Sequence, residues 1–224
     1  MLTDSFKYFS PDPKRRLHLG NPLDWPIILK SGHFAGWSKR NYDRWLSKDV
    51  CHARHAVAID EDRADFPRVG WGSKQAAIDT RERKPARLKQ VWFAGCHSDI
   101  GGSYPESESR LSDIALDWIV DELRECVPTI QLNEAMLNRF PDPRGLQHRE
   151  DEFLKLWFAV IPWKKQPRKV LQDFLLRPSV IERLAAGRVP QAGEVKDYRP
   201  VQLKDHPQAF EFFQDAGVNT GHEA

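Results

Sequence analysis

The segment Gln90–Trp118 reads QVWFAGCHSDIGGSYPESESRLSDIALDW, and it gathers the residues best suited to chemistry. His97, Ser98 and Asp99 stand between Gly95 and the pair Gly101 and Gly102. An imidazole held in such a loop can serve as a general base, given a nucleophile within hydrogen-bond reach and an acidic group to orient it. The flanking glycines allow the backbone to turn sharply and to approach a ligand closely. Asp99 is read as a loop-supporting residue that accepts backbone N–H bonds together with Gly95, Gly101 and Gly102. A His97/Asp99 metal pair is disfavoured because no third ligand follows at helix or hairpin spacing. Ser98 is adjacent to His97, so it points elsewhere and is assigned to a turn. Neither a metal nor a cofactor is expected.

Such a loop needs a strand to deliver it and a helix to carry the chain away. Leu88–Phe93, with Leu88, Val91, Trp92 and Phe93, predicts a strand buried on both faces. Open α/β sheets place their ligands beyond the carboxyl ends of the strands, where this loop falls. The following helix is expected to be capped by Ser112, with Asp113 in its first turn. Its apolar stripe comprises Ile114, Ala115, Trp118, Ile119 and Leu123, and it ends at Pro128. Upstream, Ser47 is expected to cap a helix running to Ile59 with Val50, Ala53 and Val57 on one face. His52 and His55 would lie three apart on it, and a packed His55 is preferred to a metal pair. Asp60–Arg63 reads as a solvated salt-bridge cluster and 73–87 as an exposed connection. Further helices are expected at 131–139, 151–161, 167–175 and 179–186, the last capped by Ser179. The tail from Gly187 reads as loop with one short helix near 207–215. The run Trp163–Lys169 is assigned to a solvated face in preference to lipid headgroup contact. The domain plan is a loop-rich aromatic segment at 1–46, a His-bearing part at 47–127 and a helical region at 128–224. The fold class is α/β, a partial, mainly parallel sheet with flanking helices.

Composition bounds the function. The chain has 224 residues, 40% hydrophobic and 29% charged, with a net charge of +2. That length accommodates one cored domain, with room for an appended subdomain. The near balance of charge gives no electrostatic case for nucleic acid. No apolar run approaches the roughly 20 residues of a membrane span, so no transmembrane segment is expected. Three widely spaced cysteines without a CxxC pair fit a reducing compartment. The first twenty residues lack an apolar core with a cleavage site, so no Sec signal is expected and the producing cell's cytoplasm is the default location.

Three stretches together carry a resemblance. RHAVAIDEDRADF at Arg54–Phe66, VWFAGCHSDIGGSY at Val91–Tyr104 and LSDIALDW at Leu111–Trp118 resemble an uncharacterised α/β-hydrolase domain found in type VI secretion phospholipase effectors of bacteria and in fungal and bacterial relatives. PDP at 141–143, PSV at 178–180 and YRP at 198–200 are similar to that family's C-terminal portion. The resemblance implies a lipase-like Ser–Asp–His hydrolase acting on carboxylic esters of lipids, with His97 completing the triad. In such hydrolases the nucleophile sits in an upstream G-x-S-x-G elbow. The sequence has none, its nearest approach being Gly36–Arg40, GWSKR. The family's W-D-T-V-like acid segment is also missing, and Asp24 in NPLDWPI is the remaining candidate acid. The chain therefore reads as the C-terminal part of this domain, with no nucleophile of its own. A separate chain carrying the nucleophile half would be its partner, a lipid ester the substrate once complemented, and Leu88–Phe93 would be left with an unpaired edge. The alternative is a non-catalytic, truncated relative that acts as an interaction module. The resemblance leaves export by a type VI system open, and the residues themselves do not decide it.

Overall fold

The computed structural model describes residues 46–47, 49–64, 66, 85–149, 165–170, 172 and 174–214, together with the backbone of 153–156 and 159–162. The chain divides into two compact units, Met1–Trp45 and Leu46–Ala224, and all the described residues belong to the second. Asp24 and the 36–40 stretch lie outside them.

The described part is α/β. Strands β1 (Ala53–Ala58) and β2 (Leu88–Phe93) run parallel, with Ala53 opposite Leu88 and Ala58 opposite Phe93. Beyond β2 come the one-turn helix α1 (His97–Gly101), a 3-10 turn at Glu106–Glu108 and the long helix α2 (Arg110–Cys126). Strands β3 (Phe153–Leu156) and β4 (Ala159–Pro162) form an antiparallel pair. Strand β5 (Leu175–Leu176) adds to the other side of β2, also parallel, so the sheet order is β1-β2-β5. Helix α3 (Pro178–Ala185) leads to the antiparallel pair β6 (Arg188–Gln191) and β7 (Glu194–Asp197), and α4 (Glu211–Gln214) follows. No helix among the described residues is long and apolar enough to cross a membrane.

Alternation along the strands divides the core in two, because successive side chains point to opposite faces. Val57, Ile59, Trp92 and Ala94 face Leu176, Val180, Leu184, Val189, Tyr198 and Leu203. Phe93, with the partly buried Ala56 and Val91, packs on Leu111, Ile114, Ala115 and Trp118 of α2. The Phe93 and Trp118 rings lie 5.4 Å apart and tilted, a favourable aromatic arrangement. Helix layers on both sides are what a parallel sheet requires.

Several sequence expectations give way. The stretch 47–59 is not a helix, because Ala53–Ala58 pairs along its whole length with β2. The helix expected at 151–161 gives way to the antiparallel pair β3 and β4, and among the described residues of 167–175 the regular structure is β5 at the end. At 131–139 helical structure is confined to a 3-10 turn, Glu134–Met136. The C-terminal region is mixed, carrying β6 and β7 where loop was expected. Helix α2 begins before Ser112, whose Oγ donates to the carbonyl of Ser109. Helix α3 starts at Pro178, a residue suited to the first helical position because its missing N–H is one the helix cannot use. Leu88–Phe93 is paired along its length by β1 and at Val91 and Trp92 by β5, so the unpaired edge expected on this strand is covered in part.

Candidate functional site

Parallel pairing continues past the ends of the strands. Ile59 N–H donates to the Phe93 carbonyl at 2.9 Å, and Asp60 N–H to the Gly95 carbonyl at 3.0 Å. Two carboxylates that follow β1 are thereby laid beside the loop that follows β2. Asp60 Oδ2 accepts the Gly95 N–H at 2.7 Å and the Tyr198 hydroxyl at 2.8 Å. Glu61 Oε2 faces the His97 N–H at 3.3 Å.

Glu61 is 1% exposed, which corrects the solvated-cluster reading of Asp60–Arg63. A carboxylate this deep must be paired. Arg63 pairs it bidentately, Nε to Oε1 and Nη2 to Oε2, both at 2.8 Å. Burial works to raise the Glu61 pKa, but the Arg63 hydrogen bonds and charge, with Arg168 nearby, carry it below its ordinary value. Asp60 goes the other way. Burial pushes its carboxyl up to about 6, against the opposing pull of the Gly95 and Tyr198 hydrogen bonds and of Arg183. The same burial drives the Tyr198 hydroxyl well above its ordinary range, helped by Asp60. Arg168, from the basic run at 163–169, donates to the carbonyls of Ala58 and Phe66 at 3.0 Å. That residue is tied to the end of β1 and does not belong to a purely solvated face.

His97 opens α1 and is exposed. Among the described residues its ring nitrogens have no hydrogen-bond partner, and its ring meets Phe66 at 5.6 Å between centroids. Phe66 in turn lies under the Arg63 guanidinium at 3.8 Å. The imidazole thus stands at the carboxyl end of a central parallel strand, with its backbone fixed and its nitrogens open to a reacting group.

The remaining loop residues hold this presentation. Asp99 is buried, and its Oδ2 accepts the Cys96 N–H at 3.0 Å. Gly95 has φ +121° and Gly102 φ +76°, both in the region that favours glycine, and Gly102 closes α1 with its N–H on the Ser98 carbonyl. Gly101 is exposed, with open space where a Cβ would point.

Sequence reasoning missed His148, which the fold brings to Asp99. Its Nδ1 is 2.7 Å from Asp99 Oδ1, its Nε2 is 3.0 Å from Glu108 Oε2, and its ring stacks on Tyr104 at 3.5 Å. It lies in an unpatterned stretch 49 residues beyond Asp99, so spacing carried no signal of the contact. His52 and His55 are not helix neighbours, since His55 sits on β1 with Nδ1 3.3 Å from Gln90 Oε1. No three His, Cys, Asp or Glu side chains among the described residues are arranged to hold a metal ion. An open groove of about 530 Å³ runs beside the loop, lined in part by Ala56, Ile100, Gly102, Tyr104, Leu116 and Ile119.

Arg54, the first residue of the RHA stretch, has a structural task. Its Nε meets Glu122 Oε2 on α2 at 2.5 Å, and Lys89 of β2 reaches the same carboxylate. This network fastens α2 across both strands.

Residues 25–122, somewhat under half of the chain, match a protein family described as "T6SS, Phospholipase effector Tle1-like, catalytic domain". No curated protein and no solved structure matches the chain.

Proposed function

We propose that the chain, whose residues 25–122 match the Tle1-like type VI secretion phospholipase effector catalytic domain, supplies the general-base part of a lipid-directed ester hydrolase, with His97 as the base. The observation that carries this reading is the placement of His97. Its imidazole is exposed at the carboxyl end of β2, while its backbone N–H is held on the buried carboxylate of Glu61. In the reaction His97 takes the proton of a serine hydroxyl as the oxygen attacks the ester carbonyl, and then returns it to the departing alkoxide. The sequence contains no G-x-S-x-G; the serine and the carboxylate that orients the imidazole are supplied by a polypeptide bearing that elbow. Gly95, Asp99, Gly101 and Gly102 support the loop. The family match supports a lipid substrate and is consistent with export by a type VI system.

The test is hydrolysis of a phospholipid in mixed micelles by this chain, alone and with a separately produced elbow-bearing half of a family member. Turnover by the pair, lost with His97→Ala, is expected. A pair that binds but turns over no ester would favour the interaction-module reading.

A further inference from the structure

We propose that His148 is a positioning residue for His97, acting through Asp99. The proposal rests on the reading of His97 as the base, and its test uses no ester turnover.

The Asp99 side chain is 1% exposed, and an anionic group so deep is stable only when its lone pairs are met. Cys96 supplies one N–H, and His148 supplies the rest. The His148 backbone N–H lies 3.2 Å from Oδ2, and Nδ1 lies 2.7 Å from Oδ1. Asp99 in turn decides where the loop runs. Its Oδ2 fixes the Cys96 N–H, and its Cβ occupies the space that a side chain on Gly95 would need. His97 lies between Cys96 and Asp99, so its backbone takes its place from both.

His148 is itself located from several directions. Tyr104 stacks on it with an interplanar angle of 13°, and Glu108 faces its Nε2. The Gln147 N–H bonds the Pro190 carbonyl at 3.1 Å and the Gln147 carbonyl accepts from Ala192 at 2.8 Å, which anchors the stretch to the β6–β7 hairpin. Carboxylate oxygens accept, so a hydrogen bond across the 2.7 Å contact to Asp99 Oδ1 requires the proton on His148 Nδ1. Nδ1 faces Asp99 and Nε2 faces Glu108, so His148 acts on the loop through Asp99. It also lies beyond the 25–122 stretch that carries the family match, so the C-terminal region completes the site.

The experiment is NMR on the full chain with isotope-labelled histidine. In the unsubstituted chain, two-bond nitrogen–proton correlations should show His148 protonated at Nδ1, and an Nε2–H tautomer with bare Nδ1 would overturn the proposal. His148→Asn places an amide donor near Nδ1, whereas His148→Gln places one near Nε2. The Asn variant should retain the His97 ring signals and titration curve and the slow exchange of the Cys96 amide. The Gln variant should shift the His97 curve and speed Cys96 exchange at least tenfold. Unchanged His97 and Cys96 signals in the Gln variant, or equal loss in both variants, would contradict it.

Discussion

Gly95 and Asp99 are fitted to one another: a Cβ built on Gly95 would lie 2.6 Å from the Cβ of Asp99 and 3.0 Å from its Oδ2. The glycine therefore does two things at once, adopting φ +121° and leaving room for the carboxylate that holds the next N–H in the loop.

Gly95→Ala should destabilise the chain by about 3 kcal/mol, combining left-handed backbone strain with overpacking against a buried side chain. Urea unfolding followed by tryptophan fluorescence checks this. Gly101→Ala should fall within about 0.5 kcal/mol of the parent, as an exposed site with free space usually does. Equal losses at the two positions would contradict the packing argument.

Asp60 makes stability depend on pH. Its folded pKa of about 6 lies above its ordinary 3.8, chiefly through burial. Folding thus favours the protonated form, so the stabilisation is complete below about pH 4 and is lost as pH rises through about 6. The loss amounts to about 3 kcal/mol across the window, at 1.36 kcal/mol per pKa unit. Asp60→Asn should flatten that part of the stability profile, measured by urea midpoints from pH 4 to 8. A parent and variant whose profiles run parallel would contradict it.

The strand β2 and the body of α2 were legible in the sequence because a dense apolar run and a helical stripe admit few other readings. β1 was not. Val50, Ala53 and Val57 sit at helical spacing, yet hydrogen bonding to β2 decides the conformation of a stretch whose local preference is weak. The run FLKLWFAVIP is equally ambiguous by periodicity, and hairpin pairing resolves it as strands. At the site, His97 and its glycines announced themselves by local density. Glu61 looked solvated because its burial comes from chain pairing beyond the ends of β1 and β2, and His148 was missed because a long-range contact leaves no local pattern.

Glu122→Ala should cost about 3 kcal/mol, since it leaves the largely buried Arg54 guanidinium without its carboxylate. Glu125→Ala, at an exposed carboxylate that pairs with Lys89 at 2.8 Å, should cost far less. Thermal melts of the two variants side by side separate these outcomes.

Alone, the chain should not react with a fluorophosphonate serine probe, because its sequence offers no elbow serine. Mass spectrometry of the treated chain checks this. Stoichiometric labelling of Ser38 or Ser98, abolished by His97→Ala, would place the nucleophile within this chain and contradict the proposal that an elbow-bearing polypeptide supplies it.

The most direct test of His97 as the base is the rate at which the same probe labels the elbow serine of a complementing half when this chain is added. General-base activation is worth about 10² to 10⁴ in rate. The account predicts acceleration of that order by the parent chain and none by His97→Ala, with binding of the two polypeptides unchanged. Equal acceleration by the parent and the His97→Ala chain would contradict it.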